Sequence, residues 1–352
     1  MKAILLAGGK GTRLRPLTVH TPKPIVPIFN RPFLHYQIDL LKQVPEIDEV
    51  IVSLNYQPRR IEEVFGDGSA LGITILYVVE PTPLGTAGGV RYAGGDLTDP
   101  VVVFNGDVLA QIDLAAVIRV HRERRARATI VLTPVENPTA YGLVETDPAG
   151  NVRRFVEKPR ADQITTRNIN AGIYVLDPDT FDRIPEGVPC SIERSYFPSL
   201  VERGETFVAY IYDGYWIDIG TPEKYLQVHR DIMDGRYVTA PFLDMPAPRA
   251  SVALDARIER GATVEGPCFI DEGVQIRSGA RIGPYSVIGR ETDVNEDASI
   301  DGAILWPNCR VGRGASVRDA ILGRRCHLGQ EVAVGAGVVL GDETKLSDYT
   351  RA

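Results

Sequence analysis

Cysteine is scarce in this chain of 352 residues: four in all, and no two of them form a C-x-x-C pair. That excludes a zinc ribbon and a disulfide framework, and it suits a reducing compartment, the cytoplasm. Long apolar runs are missing too. The first, Ala3–Ala7, is too short for a signal-peptide core, and nothing approaches the roughly 18 apolar residues of a membrane span. An excess of positive charge is also lacking. The formal net charge is −7, which argues against a nucleic-acid partner. One absence is local and runs the other way. No Asp or Glu occurs before Asp39, while the same stretch holds Lys2, Lys10, Arg13, Arg15, Lys23 and Arg31. An acidic chain that keeps its first segment free of carboxylates has a cationic mouth for an anionic substrate.

What stands in that segment is Leu6-Ala7-Gly8-Gly9-Lys10-Gly11-Thr12-Arg13-Leu14-Arg15-Pro16, then Pro22-Lys23-Pro24. Glycines at a strand end let backbone N–H groups approach phosphate oxygens, and cations offset their charge. The pattern is not a Walker A loop, because Gly11 follows Lys10 where Ser or Thr is required. It is not a dinucleotide fingerprint either, because the third glycine is missing.

Two grammars divide the chain. The first 235 residues alternate strand and helix signals, which predicts an α/β domain with a mostly parallel, Rossmann-like sheet and ligands at the carboxyl ends of its strands. A helix is expected from Asn30 as cap, with Pro32 in its first turn, to about Gln43; another over Leu114–Ala128; a third from Thr221-Pro222 to near Gly235. Strands are expected at Val50–Leu54, Thr74–Val79, Val101–Asn105, Thr129–Thr133, Val152–Val156 and Ile173–Leu176. Residues 236–250 are proline-rich and without period, as in a linker. From 251 to 352 an aliphatic residue recurs every sixth position, from Val252 through Ile258, Ile270 and Ile300 to Trp306, with a small or modest residue two places earlier. The register slips at Val311 and again at Leu322. A six-residue period is the mark of a parallel β-helix. Cys268, Cys309 and Cys326 fall on the small interior positions and are expected to be packed thiols.

Further motifs follow the glycine-rich one in order: Glu80-Pro81-Thr82-Pro83-Leu84-Gly85-Thr86-Ala87-Gly88-Gly89, Phe104-Asn105-Gly106-Asp107, Tyr141-Gly142, Phe155-Val156-Glu157-Lys158-Pro159, Asn170-Ala171-Gly172 and Tyr215-Trp216-Ile217-Asp218. Together they resemble the sugar-1-phosphate nucleotidylyltransferases over residues 3 to about 230, with the nearest likeness among the mannose-1-phosphate guanylyltransferases. The hexapeptide tail, a left-handed β-helix, is common in that family. The resemblance implies that a sugar 1-phosphate oxygen attacks the α-phosphorus of a nucleoside triphosphate, releasing pyrophosphate. It assigns the nucleotide to Leu6, Ala7, Gly8, Gly9, Gly11, Thr12, Arg13, Glu80, Gly85, Thr86 and Asp107. The sugar phosphate falls to Gly142, Glu157, Lys158 and Asn170, and Mg²⁺ to Asp107 and Asp218. Arg13, Lys23, Asp107 and Asp218 are the expected catalytic set.

The residues support these roles on physical grounds. Arg13 can fork two phosphate oxygens and Lys23 is a point charge. Two carboxylates plus phosphate oxygens are a typical magnesium set. Adjacent strand residues point to opposite faces, so Glu157 and Lys158 need a bend to serve one ligand. Glu80 stands where thymidylyl relatives carry Gln. An ionised carboxylate only accepts, which suits the two adjacent N–H donors of guanine. GTP is therefore the favoured nucleotide, and the resemblance implies mannose 1-phosphate as the favoured sugar phosphate. The alternatives are glucose 1-phosphate with dTTP, UTP, ATP or GTP, and a catalytically silent subunit that senses nucleotide sugars. Acyl transfer by the β-helix is disfavoured, since its one histidine, His327, should point outward. A homo-oligomer is expected from the flat faces of such a helix.

Overall fold

Ala3, Ile4 and Leu5 have no exposed surface. An apolar run flanked on both sides can only be a central strand, and Lys2–Leu6 is one. The computed structural model describes residues 1–245 and 249–352. Its chain divides into two compact units, Met1–Lys10 with Leu34–Asp218, and Gly11–Phe33 with Ile219–Ala352.

In the first unit, Lys2–Leu6 lies between Glu49–Leu54 and Val101–Asn105, parallel to both, and Thr74–Val79 extends the parallel run. The other half of the sheet adds antiparallel pairs, although Phe207–Ile211 there runs parallel to Ala128–Pro134. Asn168–Leu176 runs antiparallel to Val101–Asn105, to Ala128–Pro134 and to Gly142–Thr146. This is the Rossmann-like sheet expected of the α/β domain, with antiparallel pairing added along Asn168–Leu176. Asn168–Leu176 serves three neighbours because it shifts register between Asn170 and Tyr174, around Gly172 at φ +73. Gly142–Thr146, Phe207–Ile211 and the first half of Asn168–Leu176 are not among the expected strands; polar residues interrupt the first and the last, whereas Phe207–Ile211 is a continuous apolar run that the sequence does carry. Two helices are shorter than expected. Leu114–Glu123 is capped by Asp113 and stops before Arg125, whose φ is +46. Phe33–Leu41 starts beyond Pro32, which pairs in a two-residue strand with Pro27.

In the second unit, the helix Pro222–Met233 is capped by Thr221 as expected. Beyond it, short strands from Ala250–Val252 to Lys345–Leu346 form three parallel sheets of six, six and five strands. Ala250 pairs with Cys268 and Cys268 with Ser286, so three hexapeptides make one coil of a left-handed parallel β-helix. The aliphatic column fills the interior from Ile270 to Val334. Trp306 does not belong to it. The register slips earlier than the sequence reading placed it: Leu305 pairs with Ile288 and takes the interior position, with Ala303 as its small partner. An indole is too large for a slot built for Ile and Val. Trp306 points out of the coil and is buried against the helix Pro222–Met233, its Nε1 donating to Tyr225 Oη over 2.9 Å. Val252 and Ile258 remain exposed at the first coil. Cys268, Cys309 and Cys326 are buried and unbridged. His327 is exposed. Residues 246–248 of the expected linker lie outside the described residues.

One buried histidine gives this unit a pH dependence. His229 accepts from Phe29 N over 3.1 Å through Nε2, and its Nδ1 meets Tyr225 O at 2.8 Å. It has to be neutral to accept, and burial lowers its pKa from 6.5 to about 4. Unfolded chain binds the proton first, so stability is full above pH 6.5 and declines as pH falls towards 4. Urea titrations between those values should lose about 3 kcal/mol from this group. His229→Gln should flatten that slope; an unchanged slope would assign it elsewhere.

Candidate active site

The parallel strands of the first unit deliver their carboxyl ends to one edge, where Ala7, Glu80 and Gly106-Asp107 follow directly on Lys2–Leu6, Thr74–Val79 and Val101–Asn105. Leu6 leads into Ala7, which is buried and donates through N to Ser53 O over 2.9 Å. Gly106 N donates to Leu6 O over 2.9 Å. A Cβ on Gly106 would stand 2.4 Å from that oxygen, so only glycine lets the two loops meet. Gly8 is half-buried beside Asn55, and Gly9 and Lys10 are exposed.

Glu80 closes the same edge. Its side chain is buried and both oxygens are in use: Ser53 Oγ donates to Oε1 over 2.8 Å and Leu84 N to Oε2 over 2.9 Å. A carboxylate has about four acceptor directions, so Glu80 fixes the loop with two of them and keeps acceptor capacity. Gly85, at φ +72, begins the helix Gly85–Gly94. Thr86 Oγ1 accepts from Ile192 N over 2.8 Å and lies 3.2 Å from Glu193 Oε2. The loop from Glu80 to Thr86 is therefore tied to a π-helical turn, Ile192–Tyr196, that no sequence signal announced.

Asp107 and Asp218 are brought together. Trp216–Asp218 pairs antiparallel with Val108–Ala110, placing Asp218 across from Val108, the residue after Asp107. Gln37, buried in the helix Phe33–Leu41, donates from Nε2 to Asn105 O over 2.9 Å and to Val108 O over 2.7 Å. It clamps the turn that carries Asp107. Tyr141 Oη donates to Asp218 Oδ1 over 3.1 Å, and its ring packs edge-on to Trp216. Gln37, Tyr141 and Trp216 are supports that sequence reasoning left out of the site. Tyr141 and Trp216 flank motif residues and were within reach; Gln37 lies in a helix with nothing to mark it.

In the Tyr141-Gly142 and Glu157-Lys158 motifs, Gly142 pairs in register with Glu157. A Cβ on Gly142 would stand 2.6 Å from the Phe155 ring and 3.2 Å from Glu157 Oε2. The bend expected between Glu157 and Lys158 is present: Lys158 has φ +51, and its N donates to Tyr141 O over 2.9 Å. Burial, and then the nearby Glu193 carboxylate, raise the pKa of Glu157. Asn170 is already engaged, donating from Nδ2 to Tyr174 Oη over 2.8 Å and accepting from Gly172 N over 2.9 Å.

Gly11, Thr12, Arg13 and Lys23 belong to the second unit. Gly11 sits at φ +60, and a Cβ on it would stand 3.3 Å from Lys23 Cβ. Thr18 Oγ1 donates to Gly11 O over 2.7 Å. Thr12 and Arg13 are exposed, and Leu14 behind them is fully buried. A Cβ on Gly220 would stand 2.9 Å from Arg13 Nη2, so the guanidinium lies against Gly220.

Residues 2–235 match the family described as Nucleotidyl transferase, and residues 264–351 match the GMPPB C-terminal domain. The chain belongs to the nucleotidyl transferase family. It is similar to the mannose-1-phosphate guanylyltransferase of Mycobacterium tuberculosis, at 38% identity over 90% of this chain and 82% of the relative. It also resembles the UTP–glucose-1-phosphate uridylyltransferase of Synechocystis, at 33% identity over 93% of this chain and 88% of that one. Among solved structures, HddC from Yersinia pseudotuberculosis complexed with GMP-PN aligns with a TM-score of 0.55 at 28% identity, over 64% of this chain and 96% of that chain.

For a nucleotidyl transferase the donor set is informative. Among the described residues no group of three or more His, Cys, Asp and Glu could hold a metal. Asp107 and Asp218 offer two carboxylates only. That fits a divalent cation that completes its shell with substrate phosphates and water, and not one caged by protein. No helix among the described residues is long and apolar enough to cross a membrane.

Proposed function

We propose that this nucleotidyl transferase makes GDP-mannose and pyrophosphate from GTP and mannose 1-phosphate. The observation that carries the reading is the acidic Glu80 in the base loop, its acceptor capacity only half committed. The likeness to a mannose-1-phosphate guanylyltransferase across both matched regions supports it. Arg13 would hold the triphosphate and the departing pyrophosphate, and Lys23 the phosphate under attack. Glu157 would accept from sugar hydroxyls, with Lys158 on the sugar phosphate and Gly142 and Asn170 shaping the pocket. Asp107 and Asp218 would hold magnesium, which when bound supplies positive charge to oxygens of both phosphate groups. The chain's own work is alignment of two anions and neutralisation of their charge, with no covalent enzyme intermediate.

The catalytic domain is taken as 1–235, the linker as 236–250 and the β-helix as 251–352. The enzyme is proposed to act in the cytoplasm as a homo-oligomer. A second reading, uridylyl transfer to glucose 1-phosphate, is favoured by the Synechocystis relative. The deciding test is a matrix of five nucleoside triphosphates against mannose, glucose and glucosamine 1-phosphates, with pyrophosphate release measured. GTP with mannose 1-phosphate should be among the best pairs; UTP with glucose 1-phosphate leading would favour the second reading. No turnover with any pair, magnesium present, would indicate a silent regulatory subunit.

Glu80→Gln sharpens the base argument. Gln can still accept from Leu84 N and can donate to Ser53 Oγ, so the loop should hold. Each charge-assisted bond is worth about 1.5–3 kcal/mol, so kcat/KM for GTP should fall about tenfold or more relative to dTTP. Equal losses for both would remove Glu80 from base selection.

A further inference from the structure

The segment Gly11–Phe33, which carries Arg13 and Lys23, folds as one unit with the β-helix. Its far end is held by Phe29 N on His229 Nε2 and by Asn30 Nδ2 on Asp271 Oδ1, and three further grips lie on either side of Lys23. Arg324, on a β-helix coil, donates from Nη1 to the buried Thr21 Oγ1 over 2.6 Å. Its guanidinium lies 5.1 Å from the centroid of the buried Trp306 ring, a stacked arrangement that a planar cation favours. Trp306 Nε1 donates to Tyr225 Oη, and Tyr225 Oη donates to Pro27 O. Gly341, one coil further on, packs against Pro16: a Cβ there would stand 3.1 Å from Pro16 Cβ. Thr21 and Pro27 bracket Lys23, two residues before it and four after. Short 3-10 turns, Leu17–Val19 and Lys23–Ile25, are the only regular structure between these anchors. Such a segment has no ladder of its own to fix it, so its outside contacts decide where the Lys23 stem begins.

We propose that the β-helix is part of the phosphate-handling apparatus, and that Arg324 is a positioning residue that fixes Lys23 through Thr21. This rests on the nucleotidyl transfer reading above. It gives the tail a role in the reaction besides association. Misplacing a catalytic group by about 1 Å can lower a rate by about a hundredfold, and loosening one grip among several should have a smaller effect.

The test uses the full-length chain with Arg324→Ala, and Thr21→Val as a near-isosteric second variant that removes only the acceptor. Hydrogen exchange at amides within 17–28 should quicken about tenfold in both, with the thermal midpoint and the exchange of the β-helix coils unchanged. With GTP and mannose 1-phosphate, kcat should fall about tenfold while KM for GTP stays within about twofold, the signature of an interaction made in the transition state. Unchanged exchange in both variants would overturn the proposal. So would faster exchange with normal kcat, because the grip would then not bear on the reaction. If wild-type protein turns over no substrate pair, the nucleotidyl transfer reading fails and the role in catalysis fails with it; the exchange arm then reports separately whether Arg324 holds the segment.

Discussion

Asp107→Ala should lower kcat about a thousandfold, the scale of losing a principal electrostatic group, and raised magnesium should not restore it. Gln37 holds Asn105 O and Val108 O from behind, so removing the Asp107 carboxylate leaves those two hydrogen bonds intact. The strand Trp216–Asp218 keeps its partner Val108–Ala110. Circular dichroism and the thermal midpoint should therefore match wild type. What is lost is one of two carboxylates, and the described residues around them offer no third acidic, histidine or cysteine ligand to complete a metal-holding group. Asp218→Ala should behave alike, and the double variant should be little worse than either, because one site is being removed and not two. Titration with Mn²⁺ followed by electron paramagnetic resonance should show weaker binding in each single variant. Wild-type turnover in Asp107→Ala would sink the assignment.

Much of this was legible in the chain itself, and the exceptions have physical causes. The interior column of the β-helix could be read because a coil slot accepts only a small aliphatic side chain, so the period is written in residue size. The same rule explains the error at Trp306: its spacing matched, its volume did not, and Leu305 fills the slot. The bend between Glu157 and Lys158 was foreseeable from alternation alone. The antiparallel strand Asn168–Leu176 was not, since Gly172 shifts its register and the residues before it carry no pattern of their own. Supports such as Gln37 and the turn Ile192–Tyr196 act through backbone atoms or across long sequence separations. Their identity therefore leaves no local signal. The sequence singles out Arg13 by its motif but not its support, and the fold sets its guanidinium against Gly220.

That contact yields the second large effect. Arg13→Ala should reduce kcat/KM about a hundredfold or more, and Arg13→Lys should recover little of it. A lysine keeps the charge but cannot fork two phosphate oxygens, and bidentate geometry is where arginine exceeds it. Gly220→Ala provides an independent probe. A Cβ there would meet Arg13 Nη2 at 2.9 Å and Cζ at 3.0 Å. The backbone of Gly220 is not in the left-handed region, so alanine is sterically admissible there, and the far end of a flexible side chain is what must yield. Stability should be unchanged while the guanidinium is displaced, and kcat/KM should fall about tenfold. Introducing Gly220→Ala into Arg13→Ala should then add nothing, because the group it displaces is already gone. An additive loss would show that Gly220 matters for some reason other than Arg13.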